Sequence, residues 1–176
     1  MKKIIFLLMT IVLLCMGFTA CGGGSSPISK YCNSLEKARE KMYKGENTNG
    51  EMISEIADQF MGQTLATELD DNVSFDIIEP FTVISVSPLY GGIEFEAIIK
   101  TDRPQDYVYI ACNNSEPIII LNYDPEWNED ESCNIRFFLN VGNIIQGGEK
   151  ADEKLRGINR VVITEYGSEL FQRVNN

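Results

Sequence analysis

The chain contains no histidine in its 176 residues. Nucleophiles activated by an imidazole base are therefore excluded, which covers the Ser-His-Asp and Cys-His arrangements. There are five cysteines and none is spaced as CxxC. Without histidine, the usual structural zinc sites built from four Cys and His ligands are excluded too. Basic side chains are in the minority, 15 Lys+Arg against 26 Asp+Glu, for a net charge of −11. Nucleic acid requires a basic footprint, so no nucleic-acid partner is expected. The apolar run Ile4 to Met16, interrupted by Thr10, is shorter than the roughly 20 residues that span a bilayer.

What stands around that run is informative. Lys2 and Lys3 precede it, and the small residues Thr19 and Ala20 lead to Cys21. A charged start, a short apolar core and small residues before a cut define an export signal. The stretch 1–21 resembles the bacterial lipoprotein family of signals, whose lipobox ends in a small residue and a cysteine. Phe18 departs from that pattern, where Leu is usual. The resemblance implies that residues 1–20 are removed and that Cys21 carries the acyl chains as the new N-terminus. It also implies a cell-envelope location, lipid-anchored. Gly22, in place of the Asp that retains some lipoproteins at the inner membrane, points to the outer membrane or cell surface. Loss of Lys2 and Lys3 takes the net charge from −11 to −13.

Residues 21–26 then read as the lipidated cysteine and a flexible Gly/Ser linker. Ser26-Pro27 opens a helix, with Ser as cap and Pro at the first helical position. Tyr31, Leu35, Ala38 and Met42 fall on one face of it, and Gly45 is a stop. Thr48 and Glu51 fit a capping box for a second helix with Ile53, Ile56, Phe60 and Leu65 as its stripe, running to about Leu69. Residues 27–69 are thus expected to be an antiparallel helical pair.

From residue 70 to 176 the period is two. Runs at 73–77, 81–87, 93–100, 107–112, 118–123, 133–139 and 158–166 predict about seven strands separated by turn residues. The fold class is α+β: a helical pair followed by a mainly antiparallel β-sandwich, immunoglobulin-like in the leading reading. The alternative is a cystatin-like or NTF2-like cone, with helices packed on one curved sheet. Residues 167–174 fit either an edge strand or a short helix.

Four constellations could carry chemistry. Asp124, Glu126, Asn128 and Asp130 alternate like the opening of a calcium loop, and such oxygens can wrap a hard cation. Glu129 at loop position six, where glycine is expected, and Ile135 in place of the bidentate Glu exclude an EF-hand, which leaves a looser calcium site or a solvated turn. Trp127, the sole tryptophan, sits in the same polar loop and could stack on a ligand or cover the sheet end. Tyr90, Tyr107, Tyr109 and Tyr123 could extend its surface. Glu94 and Glu96 lie about 7 Å apart on one strand face, near the spacing of glycoside hydrolysis, although alternation with apolar residues equally gives a solvated face. Cys112 and Cys133 are each in phase with apolar residues, so both could point inward and be bridged, or stand as two buried thiols. Cys32 lies beside the stripe of the first helix.

Charge is unevenly distributed. Residues 27–45 hold Lys30, Lys37, Arg39, Lys41 and Lys44 against Glu36 and Glu40, whereas residues 46–176 hold eight basic and 24 acidic side chains. A basic helix beside a lipid anchor could lie on anionic headgroups, or pack on the protein's own acidic body. The expectation is a non-catalytic envelope lipoprotein without cofactor, acting as a binding or accessory module for a protein or glycan. The alternatives are a small carboxylate-dependent hydrolase and a structural subunit of an envelope complex.

Overall fold

The computed structural model describes residues 26–46, 50–113, 117–121, 125–141 and 153–175. The expected export signal, Cys21, Thr48 and Asp124 lie outside them. Four helices are described: α1 (Pro27–Tyr43), α2 (Gly50–Phe60), α3 (Glu153–Arg156) and α4 (Glu169–Asn175). The strands are β1 (Ala66–Leu69), β2 (Asp76–Ser87), β3 (Gly92–Lys100), β4 (Tyr107–Cys112), β5 (Pro117–Leu121), β6 (Glu126–Trp127), β7 (Cys133–Asn140) and β8 (Arg160–Glu165).

Helix α1 begins where the sequence places it. Ser26 Oγ accepts from Ser29 N at 3.2 Å, and Pro27 needs no donor there. It ends in a Schellman closure, with Glu46 N donating to Lys41 O and Gly45 N to Met42 O, both at 3.0 Å. Gly45 takes φ 69°, which a side chain would resist. The face Ile28, Tyr31, Cys32, Leu35 and Ala38 is fully covered.

The second helix stops at Phe60, so the expected helical span 27–69 is too long at its C-terminal end. Gly62 at φ 76° turns the chain, and residues 63–69 then lead into β1. Gly62 N donates to Val83 O at 3.0 Å, Leu65 N to Phe81 O at 2.7 Å, and Val83 N to Gln63 O at 2.9 Å. Leu65 is buried in both readings; helical periodicity alone does not separate a helix end from a strand entered in the same phase.

The strands form two four-stranded sheets, ordered β2-β3-β7-β6 and β1-β8-β4-β5. All neighbours are antiparallel except β1 and β8. The two sheets share one core, in which Phe81 meets Tyr109 and Phe137 edge-on and Phe137 stacks on Phe95 at 4.9 Å. The architecture is therefore α+β, a helical pair and then an antiparallel sandwich. Its first sheet has the A-B-E-D strand order of immunoglobulin-like domains, and β8, β4 and β5 take the places of F, C and C′. It departs at β1, which runs parallel to β8 where that pattern has an antiparallel G strand. Two facing sheets are not the single curved sheet of a cystatin-like or NTF2-like cone.

Strand β2 joins the end of the first run, from Asp76, to the second across Glu79-Pro80. Pro80 cannot donate to the ladder, and the register shifts between Glu79 and Thr82 accommodate it. At the C-terminus residues 169–175 are helical. Ser168 Oγ accepts from Phe171 N at 3.1 Å, and Leu170, Phe171 and Val174 cover Val108, Ile110, Cys112 and Val162 on the outer face of the second sheet. The middle of that sheet is thus covered on both faces: all six residues of β4 and four of the six of β8 are buried.

The positions of α1 and the strand ends define the long axis. Tyr31 Oη donates to Gly92 O at 2.9 Å, at the start of β3. One and a half turns later Glu36 pairs with Arg156, just before β8. Helix α1 therefore lies across one open end of the sandwich and plugs it. The other end is formed by Asp76, Lys100 and Tyr107, where β2 and β4 begin and β3 ends.

Candidate functional site

The end opposite α1 holds an open cleft of about 630 Å³. Local structure brings four segments to it. Asp76 and Lys100 face each other across the β2–β3 ladder. The connection Thr101–Asp106 turns back through a short 3-10 helix, with Asp106 N donating to Arg103 O at 3.0 Å, and delivers Tyr107. The β6–β7 hairpin adds Trp127 and Glu131, because Trp127 pairs with Cys133, which itself pairs with Ile99.

The walls combine flat apolar surface with charge of both signs. Trp127 is 51% exposed and lines the cleft instead of folding into the core. Phe75 and Tyr107 meet edge to face at 4.9 Å and 60° beside it. Arg103 Nη1 lies 3.4 Å from Asp106 and its Nε 3.8 Å from Asp102, while Lys100 is exposed at the rim. Of the aromatics singled out with Trp127, Tyr107 joins the cleft, Tyr109 is in the core, Tyr90 is exposed at the start of β3, and Tyr123 is outside the described residues.

The acidic hairpin uses its oxygens internally. Asp130 Oδ1 accepts from Ser132 Oγ at 2.6 Å and Ser132 N at 3.2 Å. Those two bonds hold its carboxyl below the usual range. Asn128 Nδ2 donates to Ser132 Oγ at 3.0 Å and Asn134 Oδ1 at 2.6 Å. Glu126 pairs with Arg136 at 3.3 Å. Of the calcium candidates Asp124, Glu126, Asn128 and Asp130, the three described are engaged within the protein: Asn128 and Asp130 both bond Ser132, and Glu126 pairs with Arg136. Among the described residues no three Cys, Asp or Glu side chains gather as a metal site.

The other constellations separate as well. Glu94 and Glu96 lie on the outer face of the first sheet, away from the cleft, and Glu96 accepts from Arg136 Nε at 2.5 Å. They are not an acid–base pair across a bond. Cys32, Cys112 and Cys133 are free and buried. The bridge between Cys112 and Cys133 does not form, because Cys133 faces the core between the sheets while Cys112 faces α4 on the far side of β4. Both are in phase with apolar neighbours, but the phases belong to different layers. Burial pushes the Cys32 and Cys133 thiols up to about 11, which suppresses their reactivity at neutral pH.

Sequence reasoning missed Phe75, Lys100 and Arg103 as cleft residues. Only Trp127 carried a linear signal, a lone large aromatic in a polar loop; the others are placed by strand register. No protein-family model, known protein or solved structure matches the chain.

Proposed function

We propose that the protein is a non-catalytic, lipid-anchored module of the bacterial envelope that binds a glycan in the Trp127 cleft. The observation that carries this reading is a half-exposed tryptophan in an open cleft with Lys100, Arg103, Asp76 and Glu131 around it. The C–H face of a sugar ring packs on an indole face, while its hydroxyls need donors and acceptors of the kind these side chains offer. The lack of histidine and the buried thiols support binding over chemistry. The apolar face of α1 is spent in the protein's own core, which weighs against a structural subunit docked through that stripe.

Trp127 is the sole tryptophan and so reports its own occupancy. Titration with neutral, amino and carboxylated oligosaccharides is expected to shift its emission saturably for one class. Trp127→Ala is expected to weaken binding of that class, followed by calorimetry, by about 30-fold, as for a central aromatic contact worth about 2 kcal/mol. A flat emission across all three classes, with no heat of binding, would remove the glycan reading. Turnover of any of them by the purified chain would replace it with the hydrolase. Mass spectrometry of the native protein tests the anchor: the expected N-terminus is acylated Cys21.

A further inference from the structure

We infer that the exposed face of α1 is a docking surface for anionic lipid headgroups, and that it stands the molecule end-on with the Trp127 cleft turned away from the membrane. This rests on the reading of Cys21 as the lipid attachment point. Three observations carry it.

The first is the helix face itself. Lys30, Lys37, Lys41 and Lys44 are all exposed, and at about 100° per residue they fall within an arc of about 60°. The centre of that arc lies about 130° around the helix from the buried face of Ile28, Tyr31, Leu35 and Ala38. Four acidic side chains stand near it: Glu40, paired with Lys44 at 2.7 Å, Glu46, close to Lys44 just past the helix end, Glu36, paired with Arg156, and Glu55 of α2, across the groove from Lys37 and Lys41. Only Glu40 shares the α1 surface in an exposed position, so the face keeps a positive balance.

The second is reach. Five residue steps lead from Cys21 to Ser26, so the start of α1 cannot lie more than about 18 Å from the acylated residue. The basic face is thus held within range of the headgroups whether or not it binds them.

The third is opposition of ends. Helix α1 is tied by Tyr31 to Gly92, whereas the cleft begins at Lys100. Eight residue steps of β3 separate the two, about 27 Å of extended strand. The rest of the chain is acidic on balance: residues 46–176 carry eight basic and 24 acidic side chains. An anionic leaflet attracts α1 and repels the rest, and both forces turn the molecule the same way.

The test uses the full lipidated chain in two kinds of vesicle, phosphatidylcholine alone and phosphatidylglycerol with phosphatidylethanolamine. Lysine acylation is read residue by residue by mass spectrometry, and Trp127 by quenching with neutral aqueous acrylamide. The expected result is labelling of Lys30, Lys37, Lys41 and Lys44 slowed by roughly fivefold on the anionic vesicles and restored by high salt. Lys100 labelling and Trp127 quenching are expected to be the same on both. Equal rates at the α1 lysines, or shielding of Lys100 and Trp127 instead, would overturn the inference. If the protein stays with neutral vesicles but its lysines label uniformly, the docking face fails and the anchor stands. If it washes off neutral vesicles, the anchor reading fails and the orientation falls with it.

Discussion

Two tyrosines in one core show how much a hydroxyl depends on its partner. Tyr109 is 2% exposed and its hydroxyl has no hydrogen-bond partner among the described residues. Tyr31 is equally buried but donates to Gly92 O at 2.9 Å. An unpaired buried polar atom costs more than a paired one returns, so the same substitution should act oppositely at the two sites. Tyr109→Phe is expected to be neutral or to stabilise by up to about 1 kcal/mol, and Tyr31→Phe to destabilise by about 1 to 2 kcal/mol because it also strands the Gly92 carbonyl. Urea unfolding of both variants checks the pair; equal losses would mean that the Tyr109 hydroxyl has a partner. A third residue is strained by its backbone. Glu131 sits at φ 65° on the rim of the cleft, in the left-handed region that suits glycine. Glu131→Gly should relieve about 1 kcal/mol and raise the unfolding midpoint. A lower midpoint would mean that the Glu131 side chain contributes contacts worth more than the strain.

Among the elements, α1 is both the plug of the sandwich and the described segment nearest the proposed anchor. Leu35 is fully buried in its middle, so Leu35→Ala should cost about 2 to 5 kcal/mol by loss of burial and the cavity left behind, measurable in the same urea experiment. A loss under about 1 kcal/mol would show that the plug adds little to the core. The helix was legible in the sequence from Ser26 to Gly45, because cap, period and stop agree within one local stretch. So was β7, where Cys133, Ile135, Phe137 and Leu139 alternate with exposed or half-exposed residues. The end of α2 and the layer of β4 were not. Leu65 keeps the helical spacing although the chain has already turned at Gly62, and β4 is covered on both faces, so alternation no longer marks a single inside. That is why the phases of Cys112 and Cys133 suggested a bridge between side chains that face different layers. Of the cleft, Trp127 could be picked from the sequence, but Phe75, Lys100 and Arg103 reach it only through the β2–β3 register and the turn before β4. The thiol prediction belongs at this scale: after removal of residues 1–20 and acylation of Cys21, a thiol reagent should count three groups in denaturant and react very slowly with the native fold. Any count below three would restore a bridge.

At the scale of the whole molecule, the dominant electrostatic fact is the surplus of negative charge. The chain carries a net −11, and −13 on the proposed removal of residues 1–20, against which the described ion pairs are few and mostly at the surface. Like-charge repulsion destabilises the compact state and acts over many pairs at long range. Each exposed ion pair contributes about 0.2 to 1 kcal/mol at short range. Salt acts on the two unequally: between about 10 mM and 150 mM the screening length falls from roughly 30 Å to 8 Å, which removes most of the long-range repulsion while leaving contacts such as Arg136–Glu96 largely in place. The lipidated protein in nonionic detergent should therefore gain stability as salt rises over this range. A gain of about 1 kcal/mol corresponds to a midpoint higher by about 2 to 4 °C for a chain of this size. The same salt should weaken the attraction of α1 for an anionic surface, so fold stability and membrane contact are expected to respond in opposite directions. A midpoint that falls with salt would mean that the ion pairs outweigh the repulsion, and that the acidic body has too weak a field to help turn the molecule on the membrane.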